Sequence, residues 1–420
     1  MSTTPSQKHH NRTLTVDFHD EATYHQLRHD GHAFIEFVVA FITTLGFQLV
    51  HKCDCPGGCA LTRHSSYTRV RIGNLVIWRL QCKHCRAVFT ILPHFVLRYR
   101  SMTPEHAKQA LLAVYGGLSL EWTALVVPDV SPMGVYHLLG AIGHASLVSV
   151  LVRCGLPLPR YLLADEKHST CLGMKVYLPT IVSGRVIWHL GYTPDKSAAS
   201  FQRSYAEFQQ AALRHDPGYS PKGIGTDGFD STRLSLGTLF PKAPLGNCWR
   251  HAAHRLGQKL QAVSKTVRET LSREFYALLH NARTTKLLPV FTFGQQLRRF
   301  ADKVEKEAGE ATGKRIREWF QTRKPGWFVL VNDPQMPTTS TLLDQAHNMV
   351  DRKLFMMKGF HHEGAIPTTF LTALALLYNF VPYQRRAASH GRCGIEVEGG
   401  KMPTQDWFLN LRIATSGGFV

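Results

Sequence analysis

An aspartate closing the apolar run YLLAD (Asp165) and a second in GIGTDG (Asp227) are the residues of this 420-residue chain best suited to chemistry. Each closes a short run of apolar or small residues that reads as a strand, a position from which a short carboxylate projects beyond a sheet. Gathered carboxylates suit divalent cations, because two such ions about 3.5–4 Å apart repel each other unless several anionic oxygens hold them. The chemistry that fits is metal-assisted phosphoryl transfer. Glu166 follows Asp165 directly, but successive strand residues point to opposite faces, so Asp165 is the expected ligand of the two. The third candidate acid is Asp344 in TTSTLLDQ, where Thr341 and Asp344 also read as a helix capping box; Asp351, two turns on, is the alternative.

After the second acid comes NCWRHAAH, with Cys248 and His251 three positions apart. No matching pair lies nearby, so these two are expected to support the site instead of forming a second zinc half-site. Trp249 between them reads as a core residue or as a ring for stacking on an unpaired base. His168 and His189 read as structural or solvent-facing.

Lys and Arg number 49 against 30 Asp and Glu, a formal net charge of +19, and 23 His add more at mildly acidic pH. A polyanion is the expected partner, and nucleic acid the expected form of it. The N-terminal MSTTPSQKHHNRT has no apolar core of a secretory signal. The apolar stretch from Val135 to Val152 contains His137 and His144, so it is expected to be buried helix and not a membrane span.

Five of the nine cysteines fall between Cys53 and Cys85; Cys154, Cys171, Cys248 and Cys393 are isolated. Clustering of this kind points to a metal and not to disulfides. Two tight cysteine turns flank alternating β-type residues, the layout of a zinc ribbon. Cys55, Cys59, Cys82 and Cys85 are the expected Zn²⁺ ligands, Cys53 substitutes for Cys55, and His64 and His84 are weaker candidates.

The elements that must position these groups follow in order. Residues 1–50 read as a polar tail of about sixteen residues and one helix ended by Gly46; 51–100 as the zinc ribbon. Residues 101–155 read as short helices, the last two joined by PDV, with Ser131 as N-cap and Pro132 at the first helical position, a helix-turn-helix plan for DNA. Residues 156–255 read as three strands, a helix over Ser197 to Arg214 and a fourth strand at KGIGTD, the order of a ribonuclease H-like α/β fold. A charged helical insertion is expected over 256–325, the rest of the core over 326–390, and a tail without functional signal over 391–420.

Residues from about Cys53 to Arg385 resemble a DD(E/D) transposase of the Mutator-like kind found in bacterial insertion sequences. In that family a CxxH motif follows the second acid, a helical insertion comes next, and a third acid opens a C-terminal helix ending in a Tyr-Asn-Phe-like block. The matching residues are Cys248 and His251, Asp344, and Tyr378, Asn379 and Phe380. Asp227 follows Asp165 by 62 residues and Asp344 follows Asp227 by 117, a gap long enough for the insertion. The chain departs from the family in carrying Asp344 where Glu is usual, a side chain one methylene shorter.

The resemblance implies that Asp165, Asp227 and Asp344 hold two Mg²⁺ ions, that double-stranded DNA is cut to leave a 3′-hydroxyl, and that this hydroxyl attacks target DNA. It also implies a homodimer or higher assembly that pairs two transposon ends, in the nucleoid-containing cytoplasm of a bacterium. The alternatives are a structure-specific nuclease on the same fold, or a zinc-dependent DNA-binding regulator indifferent to replacement of Asp165.

Overall fold

Mixed α/β architecture with two mixed sheets follows from the alternation of β-branched runs and amphipathic stretches along the chain. The computed structural model describes residues 12–49, 60–70, 72–98, 102–284, 290–384 and 387–417. Two units are formed, one from the described parts of Met1–Pro157, Arg352–Lys358 and Glu363–Val420, the other from Leu158–Asp351 and Gly359–His362.

The first unit begins with strand β1 (Thr13–Val16), then helices α1 (Glu21–His29) and α2 (Gly31–Leu45), strands β2 (Leu61–Arg69), β3 (Leu75–Cys82) and β4 (Val88–Pro93), and helices α3 (Pro104–Tyr115), α4 (Leu120–Val126), α5 (Pro132–Gly143) and α6 (Leu147–Arg153). The sheet order is β1-β4-β3-β2, with β1 parallel to β4 and the other pairs antiparallel. Thr13–Val16 was expected in a mobile tail; instead all four residues are buried, paired from Thr13↔Thr90 to Val16↔Pro93. The helix expected over residues 21–49 is two helices, because Asp30 caps the second by accepting from the His32 and Ala33 amides; Gly46, at φ 66°, ends it as expected. Ser131 accepts from the Gly134 amide at 3.0 Å, so the anticipated cap of α5 is formed.

The second unit contributes β5 (Tyr161–Cys171), β6 (Met174–Ser183), β7 (Val186–Leu190), α7 (Ala198–His215), β8 (Gly223–Thr226), α8 (Asp230–Leu239), β9 (Leu245–Asn247), α9 (Trp249–Lys259), α10 (Lys265–Thr284), α11 (Val290–Ala308), α12 (Glu310–Asn332) and most of α13 (Thr341–Met357). Its sheet runs β7-β6-β5-β8-β9, with the β7–β6 and β6–β5 pairs antiparallel and β5–β8 and β8–β9 parallel. Helices α9 to α12 enclose their own apolar core, including Leu271, Phe275, Phe300, Trp319 and Trp327. The boundary expected at residue 325 falls inside α12, which carries Pro325 and continues to Asn332.

The chain then returns to the first unit with α14 (Ala365–Phe380), α15 (Gly394–Val397) and α16 (Trp407–Ala414). The segment read as a tail is part of that unit's core: Ile413 packs among its buried residues and Ser416 Oγ accepts from the Thr15 amide at 3.1 Å. Tyr378, Asn379 and Phe380 are buried in α14 and not at the end of α13. The stretch from Val135 to Val152 breaks into α5 and α6, which meet at a bend of 69°; among the described residues no single helix is long and apolar enough to cross a membrane.

Candidate metal centre

The ladder between β5 and β8 sets the site. Leu162, Leu163 and Ala164 are buried, as are all four residues of β8, and the parallel pairing runs from Tyr161↔Gly223 to Ala164↔Thr226. The next residue on each strand is an acid, so Asp165 and Asp227 leave the end of the same ladder side by side. The strand does not end at Asp165 but continues to Cys171, paired with β6 throughout and, at Thr170 to Leu172, bridged to Phe360 on its other edge.

That one-sided continuation brings in a residue the pleat argument set aside. Ligand oxygens of Asp165, Glu166 and Asp227 all lie within 4.8 Å of one another. From Asp165 to Ser169 the β8 edge of β5 has no ladder partner, so two consecutive carboxylates can bend toward it from opposite faces. Asp165 Oδ1 accepts from the Glu166 amide at 2.9 Å, and Glu166 Oε2 accepts from Thr232 Oγ1 at 3.0 Å. Tyr205, fully buried, donates its hydroxyl to the Asp165 carbonyl at 3.3 Å.

Asp227 is held twice. Its Oδ1 accepts from the Phe229 amide at 2.6 Å, closing an Asx turn, and its Oδ2 accepts from Arg255 Nη2 at 3.0 Å. The intervening Gly228 has φ 93°, and a Cβ there would lie 2.9 Å from Arg323 Nη1 and 3.0 Å from Arg255 Nη1. The positive φ is what favours glycine there, since the arginine tips are flexible. Arg323 Nη1 also donates to the Gly228 carbonyl at 2.8 Å.

The electrostatics are those of an anionic pocket short of positive charge. Burial, then the Asp227 charge, pushes Asp165 up to about 7. Burial, then the Asp165 and Asp227 charges, pushes Glu166 up to about 9. Hard carboxylate oxygens packed this closely, with one guanidinium bonded to only one of them, are a donor set that fits Mg²⁺ and does not fit a soft ion.

Cys248 and His251 stand beside this group. Cys248 caps α9, directly after β9, and Ser340 Oγ lies 3.6 Å from its Sγ and 3.4 Å from His251 Nδ1. Burial pushes the Cys248 thiol up, but the hydrogen bonds and charge of His251 outweigh it, and the thiol falls below its usual range. His251 is raised, first by its hydrogen bond with Cys248, then against burial by the charges of Cys248, Asp165 and Asp227. Arg255 lies one turn beyond His251 on α9, a spacing that could have disclosed it in the sequence. Arg323, Thr232 and Tyr205 carried no such signal.

The remaining candidates are placed elsewhere. Asp344, in the first turn of α13, lies outside the close-packed oxygens and accepts from Arg250 Nη1 at 3.0 Å. Asp351 pairs with Lys167 Nζ at 2.7 Å. Trp249 is 4 % exposed in the helical core, which leaves no ring face for a base. His189 is buried against Ser204 Oγ at 2.9 Å, and burial holds it down at about 4; His168 packs edge-on against Tyr177.

For the zinc ribbon, Cys82 ends β3 buried and Cys85 lies in the turn before β4, with Arg86 at φ 61°. Leu61 is registered against Cys82, and the Ala60 carbonyl accepts from the Lys83 amide at 2.9 Å. Cys53, Cys55 and Cys59 lie outside the described residues. His64 and His84 are exposed. On the helix pair, α4 and α5 expose Trp122, Leu125, Val126, Met133 and Tyr136, and neither helix contains Lys or Arg. The chain matches no protein-family model and no curated protein.

Proposed function

We propose that this protein is a metal-dependent enzyme that cuts DNA and joins the ends it makes, a DD(E/D) transposase built on a ribonuclease H-like core. The observation that carries the reading is the convergence of Asp165, Glu166 and Asp227 oxygens within 4.8 Å at the end of a parallel ladder. The strand order β7-β6-β5-β8-β9, with the first three strands antiparallel and the last two parallel to the first, supports it as the order of that core. The helices between α9 and α13 stand where the family carries its insertion.

Asp165, Glu166 and Asp227 would hold Mg²⁺. Bound there, the metal supplies Lewis-acid activation of the attacking oxygen and neutralises charge on the leaving one. The chain's own residues fix the geometry. Arg255 and the Phe229 amide orient Asp227, Thr232 orients Glu166, and Tyr205 holds the Asp165 peptide. The Cys248, His251 and Ser340 contacts anchor the start of α9 and so set where Arg255 reaches. The surplus of 19 positive charges supplies phosphate contacts, which makes binding fall steeply with salt.

The test is incubation of the purified chain with Mg²⁺ and a labelled duplex carrying the end of its element, beside an Asp227→Ala variant. Nicked and joined products, lost in the variant, are expected. Cleavage without joining would make the protein a nuclease, and binding without chemistry in either form would make it a DNA-binding regulator.

A further inference from the structure

Between helices α11 and α12 lies a cavity of about 620 Å³, whose chemistry the carboxylate site does not use. Its apolar wall includes Phe291, Leu297, Phe320 and Phe328. Phe291 is 75 % exposed, a large ring left in the open at the cavity mouth. Gly294 stands one turn from it, and a Cβ there would already touch Phe328 Cζ at 3.4 Å, so the missing side chain keeps the space between the helices clear.

The polar part of the lining is cationic. Arg298 and Lys324 line the cavity, and neither has a carboxylate partner among the described residues. Arg317, also in the lining, is by contrast paired with Asp302 at 3.1 Å and with Glu305. Lys324 Nζ lies 5.5 Å from the centre of the Phe328 ring, which holds a positive charge over an aromatic face.

An exposed aromatic ring, a second one beside it, and two cations without carboxylate partners match one ligand chemistry: a planar heteroaromatic ring bearing an anion. The size suits one such unit, since small-molecule sites commonly run to about 300–1,000 Å³. A paired duplex offers neither ring face. We propose that this cavity receives a single unpaired nucleotide, its base against Phe291 and Phe328 and its phosphate on Arg298 and Lys324. The nucleotide comes either from a base swung out of a DNA strand or from free nucleotide; only the first source rests on the function proposed above.

The full chain is titrated, without Mg²⁺, into a single-stranded oligonucleotide carrying one 2-aminopurine, into a duplex with one unpaired 2-aminopurine near its end, and into 2-aminopurine riboside monophosphate. Stacking quenches this probe. Quenching that saturates is expected, with affinity about tenfold weaker in Phe291→Ala and in Arg298→Glu, and restored in Phe291→Trp. Both positions are exposed, and an unchanged melting temperature would show that the variants fold. Quenching by the strand alone identifies DNA as the source, and equal binding of the monophosphate identifies free nucleotide. Absence of quenching, or quenching indifferent to both variants, would overturn the proposal. If the probe is quenched while no Mg²⁺-dependent cleavage occurs, the cavity assignment stands and the transposase reading falls; cleavage without quenching gives the reverse.

Discussion

Arg255 Nη2 lies 3.0 Å from Asp227 Oδ2, a guanidinium bonded to one of the three clustered carboxylates. Replacing it with Gln leaves the same acids with less compensation. The metal-free protein should lose about 1.5–3 kcal/mol, the scale of a hydrogen bond to a charged group. Mg²⁺ should then raise the melting temperature more in Arg255→Gln than in the parent chain. Equal Mg²⁺ shifts in the two proteins would show that Arg255 does not balance the charge of this site.

A second expectation concerns pH. Asp165 and Glu166 ordinarily titrate at 3.8 and 4.5 and are raised to about 7 and about 9 in the fold, mainly by burial. The folded chain therefore binds more protons than the unfolded one between those values. This contribution to stability is complete below about pH 4, and it is lost as pH rises through 7 and 9. Mg²⁺ binds the ionised carboxylates, so its stabilising effect should grow from pH 6 to pH 9. Melting curves across that range, with and without Mg²⁺, check this; an identical pH slope in an Asp165→Asn, Glu166→Gln variant would count against it.

The two rival third acids give opposite kinetic outcomes. Glu166→Gln should reduce Mg²⁺-dependent cleavage at least about 100-fold, because it removes one of the clustered oxygens, whereas Asp344→Asn, which breaks only the contact with Arg250, should cost less than about tenfold. The reverse ranking would mean that Asp344 enters the site when DNA and metal are bound.

Zinc analysis provides an independent test of the ribbon. One Zn²⁺ per chain is expected by mass spectrometry, with loss in Cys85→Ser. Retention of zinc in Cys85→Ser, with loss in Cys248→Ser, would move the metal to the other pair.

In the first unit, Gly143 of α5 faces Thr369 of α14 so closely that a Cβ would overlap the Thr369 carbonyl. Gly143→Ala should destabilise the protein by about 1–3 kcal/mol, the usual cost of overpacking, read as a lower urea midpoint. An unchanged midpoint would show that α5 and α14 can separate at no cost.

Several elements were legible in the sequence because their signals are local. Ser197 capping α7, Ser131 with Pro132 at the start of α5, and Gly46 ending α2 each act within one turn of their own position. Strand β1 was not legible: four residues of TLTV acquire a strand's hydrogen bonds only from Val88–Pro93, more than seventy positions away. Residues 407–416 carry no motif, and their role comes from burial against that same strand. Glu166 was set aside by a rule that holds for a strand paired on both sides and fails where β8 stops at Thr226.

By itself, then, the sequence determined the α/β class, the basic charge, the positions of Asp165 and Asp227 at the close of two apolar runs, and the Cys248, His251 spacing, since each depends on residue type and near neighbours. Only the tertiary structure decided which oxygens converge. Whether Glu166 or Asp344 stands with the first two acids depends on where β8 ends and on which face α13 presents. Those are set by contacts between segments far apart in the chain, such as Ala164 with Thr226 and Arg250 with Asp344, which no local spacing encodes.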